Sequence, residues 1–205
     1  MSAASESTGG SGPGSPERPD AYDPQAVSPA LQLAVEQFYY REARLLDGRR
    51  YQTWLGLCSE SIRYVMPART NPLVDNAARG NESMISVERE LDGLGLDGTP
   101  IRDESYPYLA LRVERSFKPN AWAENPPART RRIIGNVEIL EVEADRLSVT
   151  SAFHLFYSRP GSESFLYAGQ RRDVLLREDD GFRILDRLIV MDMADIELPT
   201  LGLFL

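Results

Sequence analysis

The sequence predicts one α+β domain, with N-terminal helices packed on a long, curved, mainly antiparallel sheet. Three observations carry this. Residues 28–58 and 105–118 space their apolar side chains at helical intervals, whereas 129–193 divides into four long segments rich in Val, Ile, Leu and aromatics. Short turn-type stretches separate those four segments, the pattern of an antiparallel meander. A 205-residue chain with 42% apolar and 26% charged residues also has the length and balance of a single ordinary core.

Taken in order, residues 1–29 hold six Ser, four Gly and five Pro, with Val27 as the one branched aliphatic side chain. Such a stretch buries too little apolar area to offset the cost of ordering its backbone, so a disordered tail is expected over 1–29 and the folded domain over 30–205. Ser28-Pro29 reads as helix entry, serine at the N-cap and proline in the first turn. Leu31, Val35, Phe38 and Leu45 then share one stripe. Glu42 interrupts it, and is either at the margin of the buried face or buried against an arginine. Asp47-Gly48 ends this helix. A second, shorter one is expected from Arg49 to about Cys58, followed by a strand from Ser61 to Met66, stopped by Pro67.

Residues 68–100 are rich in Gly, Asn and Asp and read mostly as loop, with 82–91 open to either strand or helix. Ser105 is placed to cap a third helix in which Tyr106, Ala110, Val113 and Phe117 share a face, with Pro119 ending it. The strand segments are 129–143, 146–159, 163–177 and 181–193. Alternation is clearest in the second: Leu147, Val149, Phe153, Leu155 and Tyr157 point one way, and Ser148, Thr150, Ala152, His154 and Phe156 the other.

Composition narrows the function. Acidic groups outnumber basic ones by 31 to 23, for a net charge of -8, and no basic run offsets this. Nucleic acid and anionic membrane are therefore not expected partners, and the Arg-Arg pairs at 49–50, 131–132 and 171–172 are expected in ion pairs. No apolar run approaches the ~20 residues of a membrane span. The start, Met-Ser-Ala-Ala-Ser-Glu, lacks the features of a secretory signal, so a cytoplasmic location is expected. Cys58 is the single cysteine, which rules out an intrachain disulfide and suits a buried inert thiol.

Metal chemistry meets a simple count. A Rieske centre takes two Cys and two His, and a mononuclear non-haem iron takes two His and a carboxylate. With one cysteine and one histidine, this chain can build neither. His154 has two readings: a general base inside the sheet near Tyr39, Tyr40 or Asp103, or a structural residue bonded to a neighbouring strand or subunit. Asp103-Glu104 read as charges near a helix N-terminus. Gly93, Gly95 and Gly98 lack the lysine and strand-turn-helix context of a nucleotide loop. Residues 122–131 combine Trp122, Glu124, two prolines, Arg129 and Arg131, a composition that suits a rigid loop anchoring a strand edge or forming a subunit contact.

Several of these stretches together resemble the small (beta) subunit of Rieske-type aromatic-ring-hydroxylating dioxygenases over about residues 36–193. The carriers are Tyr40-Arg41-Glu42-Ala43-Arg44-Leu45-Leu46-Asp47, then Trp54, then Tyr64, Pro67 and Arg69. Further on come Trp122-Ala123-Glu124-Asn125-Pro126-Pro127-Ala128-Arg129, Arg171-Arg172-Asp173 and Gly181-Phe182-Arg183-Ile184 with Arg187 and Asp192. Ala128 stands where serine is usual, Arg172 where an acid is common, and Phe204-Leu205 where two phenylalanines often end the chain. The resemblance implies a cystatin/NTF2-like cone with helices inside it. It implies no catalytic, cofactor-binding or metal-binding residue on this chain. The Rieske [2Fe-2S] cluster and mononuclear Fe(II) would sit on a partner alpha subunit, in an assembly of three alpha and three beta chains. A ferredoxin and reductase would deliver electrons to alpha. The residues it marks for structure or subunit contact are Trp122, Glu124, Arg129, Arg131, Glu42, Arg171 and Asp173. Two other readings of such a fold stay open: a stand-alone isomerase or dehydratase with an acid-base pocket, and a small-ligand binding module.

Overall fold

The computed structural model describes residues 27–94, 98–120, 125–161, 163–179, 181–195 and 202–205. The expectation for the Ser/Gly/Pro-rich tail lies almost wholly outside them.

Helix α1 (Pro29–Asp47) starts and ends as the sequence predicts. The Ser28 side chain accepts the N–H of Leu31, the N–H of Gly48 returns to the carbonyl of Arg44, and that of Arg49 to Leu46. Its buried face is Val35, Phe38, Tyr39, Glu42, Ala43, Leu45 and Leu46, so the carboxylate of Glu42 goes inside with its neighbours. Helix α2 (Tyr51–Leu55) is shorter than expected, because Cys58 already belongs to strand β1 (Cys58–Met66).

Residues 68–92 leave the sheet and return through a two-strand pair, β2 (Ala68–Arg69) and β3 (Leu91–Asp92). Between them lie three short 3-10 turns, Asn76–Ala78, Glu82–Ile85 and Val87–Glu90, so the open reading of 82–91 resolves into tight helical turns up to Glu90, with Leu91 already in β3.

Strand β4 (Arg102–Ser105) is absent from the sequence reading, and it alters the role of Asp103 and Glu104. They are edge-strand residues in ion pairs. Asp103 meets Arg63 at 3.2 Å, and Glu104 meets both Arg102 and Arg112. Helix α3 (Tyr106–Arg115) buries Leu109 and Val113. It stops a turn earlier than expected, because the N–H groups of Phe117 and Lys118 bond three residues back, to Glu114 and Arg115, and tighten the last turn. Phe117 therefore leaves the shared face and is 53% exposed.

Strands β5 (Arg129–Val142), β6 (Arg146–Ser158), β7 (Phe165–Glu178) and β8 (Gly181–Met191) form the expected meander. The six-stranded order is β4-β1-β8-β7-β6-β5. β1 runs parallel to β8 and antiparallel to β4, so one parallel junction interrupts an otherwise antiparallel sheet. On β6 the predicted alternation holds, with Leu147, Val149, Phe153, Leu155 and Tyr157 in the core.

The three helices line the concave face, where these side chains meet Tyr39, Trp54, Tyr64, Ile184 and Ile189. Bulges shape the curve. β5 gains residues between Gly135 and Glu138 and between Ile139 and Glu141, with Asn136 at φ 49°.

A bulge on β8 decides the site. Leu175 pairs with Ile184 but Val174 pairs with Asp186, leaving Leu185 unopposed. Alternation counted from Ile184 would turn Asp186, Leu188 and Val190 inward. The extra residue turns Arg187, Ile189 and Met191 inward instead.

Candidate functional site

Four charged side chains meet inside the cone. Glu42 comes from α1, Arg171 and Asp173 from β7 and Arg187 from β8, and each is at most 3% exposed. Arg187 forks both ways. Its Nη1 and Nη2 donate to Glu42 Oε1 and Oε2 at 2.6 and 3.1 Å, and its Nε and Nη2 to Asp173 Oδ1 and Oδ2 at 2.9 and 2.7 Å. Arg171 Nη1 donates to Glu42 Oε2 at 2.9 Å, with its guanidinium 4.9 Å from the ring centre of Tyr39. Trp54 Nε1 completes Glu42 at 3.0 Å, and the Tyr39 hydroxyl donates to Asp173 at 2.9 Å. Two carboxylates face two guanidiniums, so the cluster is neutral as a whole.

Electrostatics follows from this closure. Burial by itself would raise the Glu42 carboxyl, but Arg187 and Arg171 outweigh it and hold the group at about 2. Burial, then the neighbouring Asp173 carboxylate, push the Tyr39 hydroxyl well above the ordinary tyrosine range. Burial opposes the charge on Arg187, yet Asp173 and Glu42 keep it firmly cationic. A general acid or base needs a proton it can exchange near neutral pH and an approach to it. Glu42 has a donor on each of its four lone-pair positions and no such proton to give.

The same network fastens residues 202–205. Arg112 donates to the Leu203 carbonyl at 2.7 Å, Arg132 to that of Phe204 at 2.6 Å and Arg187 to that of Leu205 at 3.0 Å. Tyr64 exchanges two hydrogen bonds with Leu205, at 2.8 and 3.0 Å. Phe204 packs at a tilt against Trp54, ring centres 4.6 Å apart, and lies under the Arg112 guanidinium at 4.4 Å. Arg132 is held in turn by Asp47, buried on both sides. A cleft of about 250 Å³ opens beside this segment among Tyr51, Phe117, Tyr157 and Phe204, and its walls include neither Glu42 nor Asp173.

The structure thus brings Glu42, Arg171 and Asp173 into one cluster inside the chain. Trp122 and Glu124 lie outside the described residues. The described end of their loop is held by arginines from elsewhere: Arg49 grips the Ala128 carbonyl through two nitrogens at 3.1 and 2.7 Å, and Arg159 the Asn125 carbonyl at 3.1 Å. Arg129 and Arg131 stand exposed on the convex face. His154 is on that face too, beside Ile133, Asn136 and Ala152, so it does not enter the cone near Tyr39 or Asp103. Arg172 likewise points outward and pairs with Glu88 at 3.3 Å.

Arg187, the centre of the network, has no place among the sequence-derived site residues, because the β8 bulge hides its parity. The signal was an arginine set between Ile184 and the Leu188-Ile189-Val190 run.

The iron centres fail a direct fit. Cys58 is 1% exposed on the inner side of β1, with burial raising its thiol to about 12, while His154 is on the opposite face of the sheet. Among the described residues no group of three or more His, Cys, Asp or Glu side chains is gathered as metal ligands. No helix among them is long and apolar enough to cross a membrane.

Comparison with known proteins agrees with this geometry. A family profile described as "Ring hydroxylating beta subunit" matches residues 41–197. The benzene 1,2-dioxygenase subunit beta of Pseudomonas putida is 35% identical over 184 residues, 88% of this chain and 92% of that protein. The biphenyl 2,3-dioxygenase subunit beta of Rhodococcus jostii is 34% identical over the same span. Among solved structures, naphthalene 1,2-dioxygenase with indole bound superposes with a TM-score of 0.71 at 23% identity, covering 87% of this chain and 88% of that one. A candidate scytalone dehydratase from Novosphingobium aromaticivorans shares the NTF2-like fold, with a TM-score of 0.55 at 13% identity over 80% of this chain and 85% of that one. The likeness in length, helices, curved sheet and sequence leaves one conclusion: this chain belongs to the ring hydroxylating beta subunit family.

Proposed function

We propose that this chain is the structural, non-catalytic beta subunit of a multicomponent dioxygenase that incorporates O2 into an aromatic compound. The observation that carries this reading is the closed interior. Where a pocket enzyme of the same fold would keep a free acid-base pair, both carboxylates, Glu42 and Asp173, are taken up by Arg187, Arg171, Trp54 and Tyr39, and residues 202–205 lie against them. The family relationship supplies the reaction class. The Rieske [2Fe-2S] cluster and Fe(II) belong to an alpha subunit, in an assembly of three alpha and three beta chains working in the cytoplasm. A ferredoxin and its reductase feed that alpha chain. The contribution of the beta chain is a rigid body whose shape is set before its partners arrive.

The test is co-expression with an alpha candidate that carries Cys-x-His and Cys-x-x-His pairs. The two chains are expected to co-purify in equal amounts, with all iron on alpha and aromatic dioxygenation only in the complex. Turnover or bound iron in the isolated beta chain would overturn the reading.

A further inference from the structure

The cleft beside residues 202–205 has a chemistry of its own, apart from the buried charge cluster. Its volume of about 250 Å³ suits one or two aromatic rings, since an apolar cavity of about 150 Å³ already takes up benzene. Four parts of the chain wall it: Arg49 and Tyr51 where α1 passes into α2, Phe117 just past α3, Thr130 and Arg132 at the start of β5, and Phe204. Aromatic rings supply the sides. Tyr51 lies tilted against both Phe117 and Phe204, with ring centres 6.4 and 5.3 Å away. Phe117, 53% exposed, lines this cleft rather than the core.

Charge is the second feature. Among the described residues that line the cleft, two are arginines and none is a carboxylate. Arg132 is already bound, to Asp47 and to the Phe204 carbonyl. Arg49 is not matched in this way. Its Nε and Nη2 hold the Ala128 carbonyl at 3.1 and 2.7 Å, and among the described residues it meets no carboxylate, which leaves Nη1 to donate elsewhere. Its backbone points the same way. Arg49 has φ 55° in the turn that closes α1, where its N–H bonds to Leu46 and that of Arg50 to Leu45. Glycine is the usual residue at that left-handed position, so a side chain is kept there at a backbone cost. A guanidinium with donors to spare, beside three rings in a chain of net charge -8, suits an aromatic anion.

We propose that this cleft is a binding site for a small aromatic carboxylate, its ring packed on Tyr51, Phe117 and Phe204 and its carboxylate on Arg49. The planar fork of arginine matches the two oxygens of a carboxylate, and the space between the walls limits the ligand to one or two rings. The ligand also presses on Phe204, whose ring lies against Trp54, so binding favours the folded chain. No catalytic step attaches to the site, since neither Glu42 nor Asp173 is among its walls.

The test is benzoate added to the full-length chain, followed by calorimetry and by melting temperature. Saturable binding that raises the melting temperature is expected, with cyclohexanecarboxylate and the neutral benzamide both weaker. Arg49→Met should weaken benzoate by roughly tenfold and leave benzamide unchanged, because it removes one charge-assisted contact. Phe117→Ala should weaken both ligands, and its side chain is exposed enough for the variant to fold. In the complex with alpha, light-activated 4-azidobenzoate should label this chain at Tyr51 or Phe117, and excess benzoate should suppress the label. An absence of saturable benzoate binding would reject the proposal, as would binding that both substitutions leave untouched. So would labelling confined to alpha. None of these results bears on dioxygenation by the complex, so the proposed function would stand.

Discussion

Glu42 shows how strongly one side chain can depend on its neighbours. Its carboxylate, held at about 2 by Arg187 and Arg171 against the pull of burial, returns to an ordinary value near 4.5 when the chain unfolds. The unfolded chain therefore binds this proton more readily than the folded one. Stability from Glu42 is whole above about pH 4.5 and drains away as pH falls toward 2, for a total of ~3 kcal/mol. Acid titration of the wild-type chain should show that loss, and Glu42→Gln should flatten it while lowering stability at neutral pH. Glu42→Ala leaves two buried guanidiniums short of a partner and should cost about 3–5 kcal/mol, read as a drop of roughly 10 °C in melting temperature. Cys58 makes a simpler case. With its thiol raised to about 12 by burial, it should resist alkylation in the native chain and react fully only after unfolding.

At the scale of elements, close approach matters more than propensity. Gly169 on β7 lies across from Phe153, and a Cβ there would fall 2.5 Å from the Val190 carbonyl and 2.9 Å from the Phe153 ring. Gly169→Ala should destabilise by about 1–3 kcal/mol in a denaturant titration, because the β6–β7–β8 ladder must shift to admit it. Phe204→Ala should cost about 3–5 kcal/mol, since the ring packs on Trp54 and under Arg112 at the mouth of the cone. Helix α1 was fully legible: Ser28, Pro29 and Gly48 are local signals that act within one turn. The four long strands were legible too, because apolar alternation and turn residues are written along the chain. β4 was not. Its Arg102–Ser105 stretch has no apolar alternation, and it is a strand because β1 offers it an edge and Arg63 and Arg112 offer it charges.

For the whole molecule, the contrast between the two faces of the sheet governs what a substitution can do. His154 is on the convex side, away from the buried network, so His154→Gln should leave turnover per assembled complex unchanged. A general base would lose about 10²–10⁴-fold on removal. Product formation measured together with subunit stoichiometry separates a catalytic effect from an assembly effect at this surface.

The sequence by itself determined the α+β class, the order of helices before strands, and the inability of one cysteine and one histidine to hold either iron centre. These follow from local periodicity and from counting, which need no knowledge of what touches what. It also offered Glu42, Arg171 and Asp173 as separate residues of interest. Only the tertiary structure decided that they are one object, joined at Arg187 and closed by Tyr39, Trp54 and Leu205. The reason is physical. A single extra residue at Leu185 reverses which side chains of β8 face inward, and contacts between residues 42 and 187 depend on how the sheet curls, which no short window of sequence encodes.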